Sequence, residues 1–295
     1  MTLEQLRIFV AVAERQHMTR AAEALNMTQS AASAGVAALE ARHGVRLFDR
    51  VGRGVALSEA GRVFLPEARA VLARAEAAAQ ALDDLAGLRR GAIALAASQT
   101  VANHWLPSRM ARFAVAHPGI IMALTVGNTT QVADAVLEGR ADLGFVEGDV
   151  DAPFLERAPM AIDRISLYAV PDHPLAGRKV GLADLEAVLW VLREPGSGTR
   201  SEFEHALDQR GLDSQRLRTL LELPSNAAVL DAVLAGGLVT AVSDLAALPL
   251  VAAGRLVRLA FDLPARRFDL ITHRDRMRSH AAMAFIAEIG AQSDR

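Results

Sequence analysis

The feature that most constrains the fold is an alternation of short apolar runs with helical patterns across the C-terminal two thirds of the chain. Residues 120–126, rich in Ile, Leu and Val, are followed by helical spacing over residues 130–137. Such alternation predicts mostly parallel sheets with helices on their faces. Two successive series predict two α/β lobes, and a late strand and closing helix predict a return to the first lobe. The predicted strands are residues 93–96, 120–126, 143–146, 165–170, 188–192, 219–223, 238–242 and 269–272.

The N-terminal stretch follows a different pattern, with short helices separated by brief turns. Apolar residues recur at helical spacing over residues 6–13 and predict a first helix. We expect Thr19 to cap a second helix and Thr28 to cap a third, which stops before Gly44. Two short helices joined by three or four residues have the geometry of a helix-turn-helix.

Two extended pieces and a long helical pattern follow the third helix. Residues 46–50 and 55–57 flank a glycine-containing turn and predict a hairpin wing. Residues 59–88 are rich in Ala and contain Pro66, and they predict a linker helix that pairs with a copy of itself. We therefore predict an α/β fold with a mainly helical N-terminal unit. The predicted domains are the winged helix-turn-helix at 1–58, the linker helix at 59–88 and a two-lobed domain at 91–295, with lobe I at about 91–162 and 267–295 and lobe II at about 163–266.

Composition and charge exclude several classes of protein. The chain has 295 residues, a net charge of −2 and no cysteine. The lack of cysteine excludes disulfides, zinc–thiolate sites and cysteine nucleophiles. Because the net charge is small, any contact with nucleic acid must come from a local basic patch. Charge within residues 1–7 and the lack of a long uncharged apolar run disfavour secretion and membrane spanning, so we expect a cytoplasmic protein.

Six N-terminal segments together form a specific motif pattern. They are LRIFVAVAE at 6–14, TRAAEAL at 19–25, TQSAAS at 28–33, LE at 39–40, GVRLFDR at 44–50 and LSEAG at 57–61. The pattern resembles the LysR-type transcriptional regulators, and the likeness extends over essentially the whole chain. Residues 97–103 and 192–200 are similar to members linked to sulfur assimilation or carbon dioxide fixation.

The resemblance implies an architecture and a set of partners. It implies a winged helix-turn-helix, a dimerising linker helix and an effector domain shaped like a type 2 periplasmic binding protein. The partners it implies are double-stranded DNA, a small anionic or amphoteric effector and further copies of the chain in a homodimer or homotetramer. RNA polymerase is a further candidate partner. We expect no cofactor and no metal.

The candidate DNA-binding residues follow from how a recognition helix meets DNA. Its first turns face base edges in the major groove, while hydroxyls, amides and arginines fix its register on phosphates. Gln29 can pair with adenine in a bidentate way. The alternative is that Gln29 and Ser33 merely cap and solvate the helix. The predicted DNA-binding set is Thr19, Arg20, Thr28, Gln29, Ser30 and Ser33, with Arg50 and Arg53 on the wing.

Three positions in the third helix depart from the family pattern. Ala34 and Gly35 stand where members often carry long polar side chains, and Ser30 stands where proline is common. Gly35 also costs about 1 kcal/mol of helix propensity relative to alanine. We therefore expect sparse base readout.

Small polar residues occur in the two-lobed domain between the end of a predicted strand and the start of the next helix. Ligands of open α/β sheets bind beyond the carboxyl ends of strands, here in a cleft between lobes. Free N–H groups at helix starts favour a carboxylate or an inorganic oxyanion. The alternative for each residue is an ordinary helix cap worth about 1 kcal/mol. The predicted effector-binding set is Ser98, Gln99, Thr100, Asn128, Glu147, Ser197, Gly198, Thr199 and Asn226.

Glu147 complicates a purely anionic ligand because an unpaired carboxylate repels it. The carboxylate would either bind an ammonium group of the ligand or pair with a neighbouring arginine such as Arg193.

Two other functions compete with a regulator. An enzyme needs convergent chemistry, and the eight histidines show no close pair at ligand spacing. We therefore expect no catalysis. A solute-binding protein of a transport system would share the two-lobed fold, but it needs an exported N-terminus and has no use for a helix-turn-helix.

Overall fold

The computed structural model describes residues 1–51, 54–85, 91–150 and 152–293. The chain divides into two units. One comprises Met1–Ala86 with Glu138–Arg140, and the other comprises Gly87–Leu137 with Ala141–Arg295. The domain and lobe boundaries drawn from the sequence stay predictions.

The N-terminal unit contains the predicted helix-turn-helix, hairpin and long helix. Thr28 caps the third helix as predicted, because its Oγ1 accepts from the N–H of Ala31 at 3.2 Å. Gly44 ends that helix with φ +66°, a left-handed conformation that favours glycine. The long helix continues through Pro66, which has no N–H to donate. The elements are α1 Leu3–Arg15, α2 Met18–Ala24, α3 Gln29–His43, β1 Phe48–Val51, β2 Gly54–Leu57 and α4 Glu59–Leu85.

The predicted capping role of Thr19 is wrong. Helix α2 begins at Met18 with His17 at the cap position, so Thr19 lies inside the first turn. His17 has an extended backbone, and its carbonyl oxygen already accepts from Ala21 N at 3.0 Å. The helical bonding therefore starts before a side-chain cap from Thr19 could act.

Aromatic and aliphatic side chains join α1, α3, the hairpin and α4. Phe9 is fully buried, with ring centroids 5.4 Å from Phe48 and 5.1 Å from Phe64. A Cβ at Gly35 would lie 2.6 Å from Ile8 Cδ1, so the glycine permits the close packing of α3 on α1. A larger residue at position 35 would require the end of the Ile8 side chain to move.

The C-terminal unit contains two lobes that share long strands. Strands β3, β4 and β5 are parallel, as are β7, β8 and β9. The antiparallel pair β6–β11 connects these groups, in the order β4-β3-β5-β11-β6-β9-β7-β8. The strands are β3 Gly91–Ser98, β4 Ile120–Gly127, β5 Leu143–Glu147, β6 Leu155–Ala169, β7 Leu189–Arg193, β8 Arg218–Leu223, β9 Leu238–Ser243, β10 Val257–Arg258 and β11 Ala265–His273.

Helices cover both faces of these sheets, as the alternation predicted. The helices are α5 Leu106–Ala116, α6 Thr129–Leu137, α7 Leu182–Ala187, α8 Gly198–Asp208, α9 Asn226–Leu234, α10 Asp244–Ala252 and α11 His280–Ser293. Val101–Trp105 forms a π-helical turn directly before α5. A short 3-10 helix spans Ser214–Arg216. Helices α7 and α10 and the first ten residues of β6 were missed by the sequence pattern.

Each lobe has its own hydrophobic core. Trp105, Phe145 and Phe285 pack in the core of lobe I, the lobe that contains β3, β4 and β5. Trp190 and Phe203 pack in lobe II, and the Trp190 indole donates to Leu185 O at 2.8 Å. Helix α11 lies against lobe I, which confirms the predicted return of the chain end. No helix in the described ranges is both long and apolar enough to cross a membrane.

The packing of α11 on lobe I gives a stability prediction. The ring of Phe285 is fully buried and lies 5.0 Å from Phe113 and 6.4 Å from Phe145. We expect Phe285→Ala to lower the free energy of unfolding by about 3–5 kcal/mol, because the deletion leaves a cavity. Urea unfolding followed by intrinsic fluorescence measures it. Met283→Ala, at a position 45% exposed on the same helix, is the control, and equal losses would contradict the packing.

Candidate DNA-binding surface and effector cleft

The first turn of α3 presents polar side chains to solvent. Gln29 and Ser30 are exposed, whereas Ser33 is half-buried one turn later. Ser30 Oγ lies 3.0 Å from Thr28 Oγ1, so the capping threonine also orients the serine. Thr28 is thus committed to the helix start, and Gln29 is the longest exposed polar side chain of this turn.

Exposed arginines also occur on α2 and on β1. Thr19 and Arg20 are exposed in the first turn of α2. Arg50 is exposed on β1, where it pairs in register with Val55 of β2. Arg53 lies outside the described residues. In DNA-binding units, arginines commonly bind phosphates and so position the protein, whereas amides can contact base edges and so specify the sequence.

Glu147 lies at the centre of the contact between the two lobes. It is the last residue of β5, and its side chain is only 1% exposed. Ser98 Oγ, at the end of β3, donates to Glu147 Oε2. Thr199 Oγ1, in the first turn of α8 in lobe II, donates to Glu147 Oε1 at 3.4 Å. Two predicted ligand hydroxyls therefore bind a carboxylate of the chain itself.

The helix starts of lobe II are occupied by oxygen atoms from lobe I. Gly198 N donates to Thr129 Oγ1 at 3.1 Å, and that hydroxyl donates to Glu147 O at 2.7 Å. A Cβ at Gly198 would lie 1.9 Å from the same carbonyl oxygen, so only glycine permits this approach. The N–H of Asn226 at the start of α9 donates to Gln99 Oε1 at 3.2 Å. The donors that we expected to bind an anion are thus satisfied internally.

The remaining predicted cleft residues lie in the same region. Asn226 Nδ2 donates to Thr100 Oγ1 at 3.2 Å, which is a further bond between the lobes. Asn128 caps α6, because its Oδ1 accepts from Gln131 N at 3.0 Å. Ser197 is buried at the start of α8 and makes no side-chain cap bond. The capping alternative therefore fits Asn128 but not Ser197.

Glu147 pairs with an arginine, as one of the two alternatives predicted, but Arg193 is the wrong residue. Its guanidinium makes a two-point contact with Glu194, at 2.7 and 2.9 Å, and donates to Asn226 Oδ1 at 2.8 Å. The arginine near Glu147 is instead Arg266 on β11, whose Nη1 lies 3.9 Å from Glu147 Oε1. Arg193 is already paired with Glu194, the next residue in the sequence. The arginine that pairs with Glu147 is Arg266.

The sequence pattern missed a buried charge cluster beside Glu147. Arg266 Nε donates to Asp163 Oδ2 at 2.7 Å, and Asp163 Oδ1 accepts from Ser243 Oγ at 2.7 Å. Arg266 also donates to Thr199 Oγ1 at 3.1 Å. Asp163 and Arg266 lie on β6 and β11, which cross between lobes. The opposite charges of Asp163 and Arg266 could have indicated this pair, but both residues lie just before the predicted strands at 165–170 and 269–272.

Nearby charges lie at the lobe II side of the cleft. Burial opposes the charge of Arg200, but hydrogen bonds with Glu204 and Glu222 outweigh it and raise the pKa of the guanidinium. Burial, and then the charge of Asp149, raises the pKa of the Glu202 carboxyl. Among the described residues, no group of three His, Asp or Glu side chains is arranged to hold a metal ion.

Two family models match the chain. The model of bacterial regulatory helix-turn-helix proteins of the lysR family covers residues 3–62. The LysR substrate binding domain model covers residues 86–294. The N-terminal match favours a regulator over the solute-binding alternative.

Curated relatives span nearly the whole chain. The uncharacterized HTH-type transcriptional regulator YeiE of Escherichia coli K12 is 35% identical over 287 residues, covering 97% of this chain and 96% of YeiE. The RuBisCO operon transcriptional regulator of Allochromatium vinosum is 36% identical over 243 residues, covering 82% of this chain and 79% of that protein. These relatives are transcriptional regulators.

Solved structures share the fold. CbnR, a LysR family transcriptional regulator, is 24% identical with a TM-score of 0.70, and the match covers 100% of both chains. The regulatory domain of CcmR from Synechocystis PCC6803, in complex with 2-PG, is 26% identical with a TM-score of 0.64. That match covers 70% of this chain and 99% of the CcmR domain.

The helix-turn-helix, the two lobes and these matches agree with one another. The chain belongs to the LysR family and is a DNA-binding transcriptional regulator with an effector-binding domain.

Proposed function

We propose that the chain reads its operator mainly through Gln29 and that a small anionic or amphoteric effector binds between the two lobes. The observation that supports the first part is the exposed polar first turn of α3, with Arg20 and Arg50 exposed on the adjoining elements. Gln29 can contact an adenine edge, while the arginines and Ser30 contact phosphates. Thr19 and Ser33 supply further hydroxyls. Because few long side chains leave α3, affinity would depend strongly on the phosphate contacts.

We also propose that the chain forms a homodimer or homotetramer and acts in the cytoplasm. Helix α4 leaves Val63 70% exposed and Val71 41% exposed, which are apolar side chains that a second helix can cover. A homodimer would present two α3 helices to a dyad-symmetric site, and a homotetramer would present two such pairs. The protein would act in the cytoplasm, by binding and without catalysing a reaction.

The second part rests on the convergence of polar groups at the lobe contact. Gly198 N and Asn226 N are helix-start donors that now bind Thr129 and Gln99. An oxyanion can replace those neutral oxygens and gains the favourable field of the helix starts. The complex of the CcmR regulatory domain with 2-PG supports a small anionic effector for a domain of this fold.

Glu147 restricts which anion is accepted. Its carboxylate is buried, and Arg266 already pairs at closer range with Asp163. An anionic effector must therefore bring a hydrogen-bond donor or an ammonium group toward Glu147 to avoid repulsion. This requirement favours amphoteric ligands over simple dianions. The effector would act by binding the open and closed lobes with different affinity.

The DNA-reading proposal predicts a loss of selectivity in Gln29→Ala. We expect its affinity for an operator duplex to fall about tenfold, since one bidentate base contact contributes about 1–3 kcal/mol of discrimination. Affinity for a scrambled duplex should change little. Fluorescence anisotropy on both duplexes measures the ratio, with Gln215→Ala, exposed in lobe II, as control. Equal losses on the two duplexes would overturn the role of Gln29.

The effector proposal predicts opposite effects of Glu147→Gln on two ligand classes. Isothermal titration should show about tenfold or greater gain in affinity for small oxyanions, because a like charge is removed from a buried site. Affinity for zwitterionic amino acids should fall. Asp231→Asn, an exposed carboxylate on α9, is the control and should change neither. Absence of heat from every anion and amino acid would remove the cleft proposal.

The close approach of the lobes predicts a cost for Gly198→Ala. The added methyl would meet Glu147 O at 1.9 Å and Thr129 Oγ1 at 2.5 Å, and the first of these atoms belongs to the backbone. We expect a lower melting temperature and a more open scattering profile. Gly290→Ala, in α11 with no atom within 4 Å of the new Cβ, should instead stabilise by about 1 kcal/mol through helix propensity. A Gly198→Ala protein as stable and compact as wild type would contradict the described lobe contact.

A further inference from the structure

The segment that leads into the wing is held from the side of the recognition helix by a single carboxylate. Glu40, in the last turns of α3, accepts two consecutive backbone N–H groups with one oxygen atom. Leu47 N lies 2.7 Å and Phe48 N lies 3.2 Å from Glu40 Oε1. Consecutive N–H groups form a concavity suited to an anion, and charge-assisted bonds are about twice as strong as neutral ones. Glu40 is half-buried, so water screens these bonds only partly.

The same segment is held from the other side by the start of α4. Ser58 Oγ donates to Arg46 O at 2.8 Å, and Ser58 N donates to Leu47 O at 3.0 Å. A Cβ at Gly61 would lie 2.1 Å from Leu47 O, so α4 approaches the segment as closely as a glycine allows. Residues 46–48 therefore share hydrogen bonds with α3 and with the residue that precedes α4, and the wing begins between them.

The base of the wing has anchors that do not involve Glu40. Phe48 packs on Phe9 with ring centroids 5.4 Å apart, and Val55 N donates to Gln16 O at 3.2 Å. These contacts fix the hairpin to α1 and to the residue that follows it. Loss of the Glu40 bonds would therefore leave a folded wing whose position relative to α3 is less defined.

We propose that Glu40 is a positioning residue that fixes the wing against the recognition helix and so sets how well the protein discriminates its operator. The inference rests on the DNA-reading function proposed above. Arg50 lies two residues beyond Phe48 on the same strand. The Glu40 bonds, which we call the clamp, join this strand directly to α3 and so help to fix the spacing between Arg50 and Gln29. A fixed spacing lets one DNA site satisfy both contacts together, whereas a loose wing binds many sites about equally.

Simple electrostatics predicts the opposite sign, which makes the test decisive. Removal of a carboxylate near DNA lowers repulsion from phosphates and should tighten binding to every duplex. If Glu40 positions the wing, Glu40→Ala should instead weaken binding to the operator although the protein has lost a negative charge.

The test uses the full-length protein and a duplex that the wild type enriches from a random-sequence pool, with a scrambled duplex for comparison. We expect Glu40→Ala to lose about tenfold in affinity for the enriched duplex, which corresponds to about 1.4 kcal/mol. Affinity for the scrambled duplex should stay equal or rise slightly. Hydroxyl-radical footprints should lose protection at the flanks, where the wing binds, and keep it at the centre of each half-site.

Three further variants separate positioning from folding and from charge. Glu40→Gln keeps an acceptor oxygen at the same reach and should restore most of the selectivity. Glu40→Asp keeps the charge but withdraws it by one methylene, so it should lose selectivity as Glu40→Ala does, and it replaces that variant if Glu40→Ala fails to fold. Glu23→Ala removes an exposed carboxylate on α2 and should shift both duplexes by the same small factor.

Two results would overturn the proposal. One is a Glu40→Ala protein that matches Glu23→Ala on both duplexes and keeps the wild-type footprint. The other is a wild type that enriches no sequence from the pool, which overturns the DNA-reading function and this inference with it. The proposal is supported if folded Glu40→Ala and Glu40→Asp lose selectivity for the enriched duplex. Glu40→Gln and Glu23→Ala should keep it.

Discussion

A carboxylate buried between two lobes needs partners from both of them, and in this chain Glu147 obtains them. Burying an isolated charge is unfavourable by several kcal/mol, so a buried carboxylate persists only where hydrogen bonds and counter-charges surround it. Ser98 supplies a donor from lobe I and Thr199 supplies one from lobe II. Arg266, held by Asp163, supplies the counter-charge from the strands that connect the lobes. The close contact between the lobes follows from this arrangement, and so does the restriction that we propose for the ligand.

The N-terminal unit uses a carboxylate in a comparable way on a smaller scale. Glu40 satisfies two backbone N–H groups that would otherwise need water at the start of the wing. In each unit the carboxylate joins separate elements. Glu147 bonds to both lobes, which form the proposed ligand site, and Glu40 joins α3 to the start of the wing, which form the proposed DNA-reading surface.

Much of the fold was predictable because periodicity and capping are local signals. The Thr28 cap, the end of α3 at Gly44 and the strand–helix alternation were all found from residues close in sequence. Thr19 was misplaced because His17 starts α2 through its backbone, which leaves no side-chain signal. Strand β6 was predicted too short because its first half has exposed positions in succession and contains Pro159, unlike a buried parallel strand.

The candidate cleft was predicted in outline but not in its bonding. Strand ends and helix starts identified Ser98, Thr199 and Asn226, because topology brings these positions together. Nothing local indicated that Glu147 would use the hydroxyls or that Arg193 would turn to its neighbour Glu194. The choice of Arg266 joins side chains more than a hundred residues apart in sequence. The sequence therefore could not identify the arginine that pairs with Glu147. The pairing of β11 with β6 and β5 brings Arg266 to it.

The most direct test of the account is a footprint of the purified protein on the DNA upstream of its own gene, with and without small anions and amino acids. A regulator that reads DNA through α3 and responds through the cleft should protect a dyad-symmetric site, and the pattern of protection should change when a ligand binds. Absence of protection even at low salt, where phosphate contacts are strongest, would contradict the account.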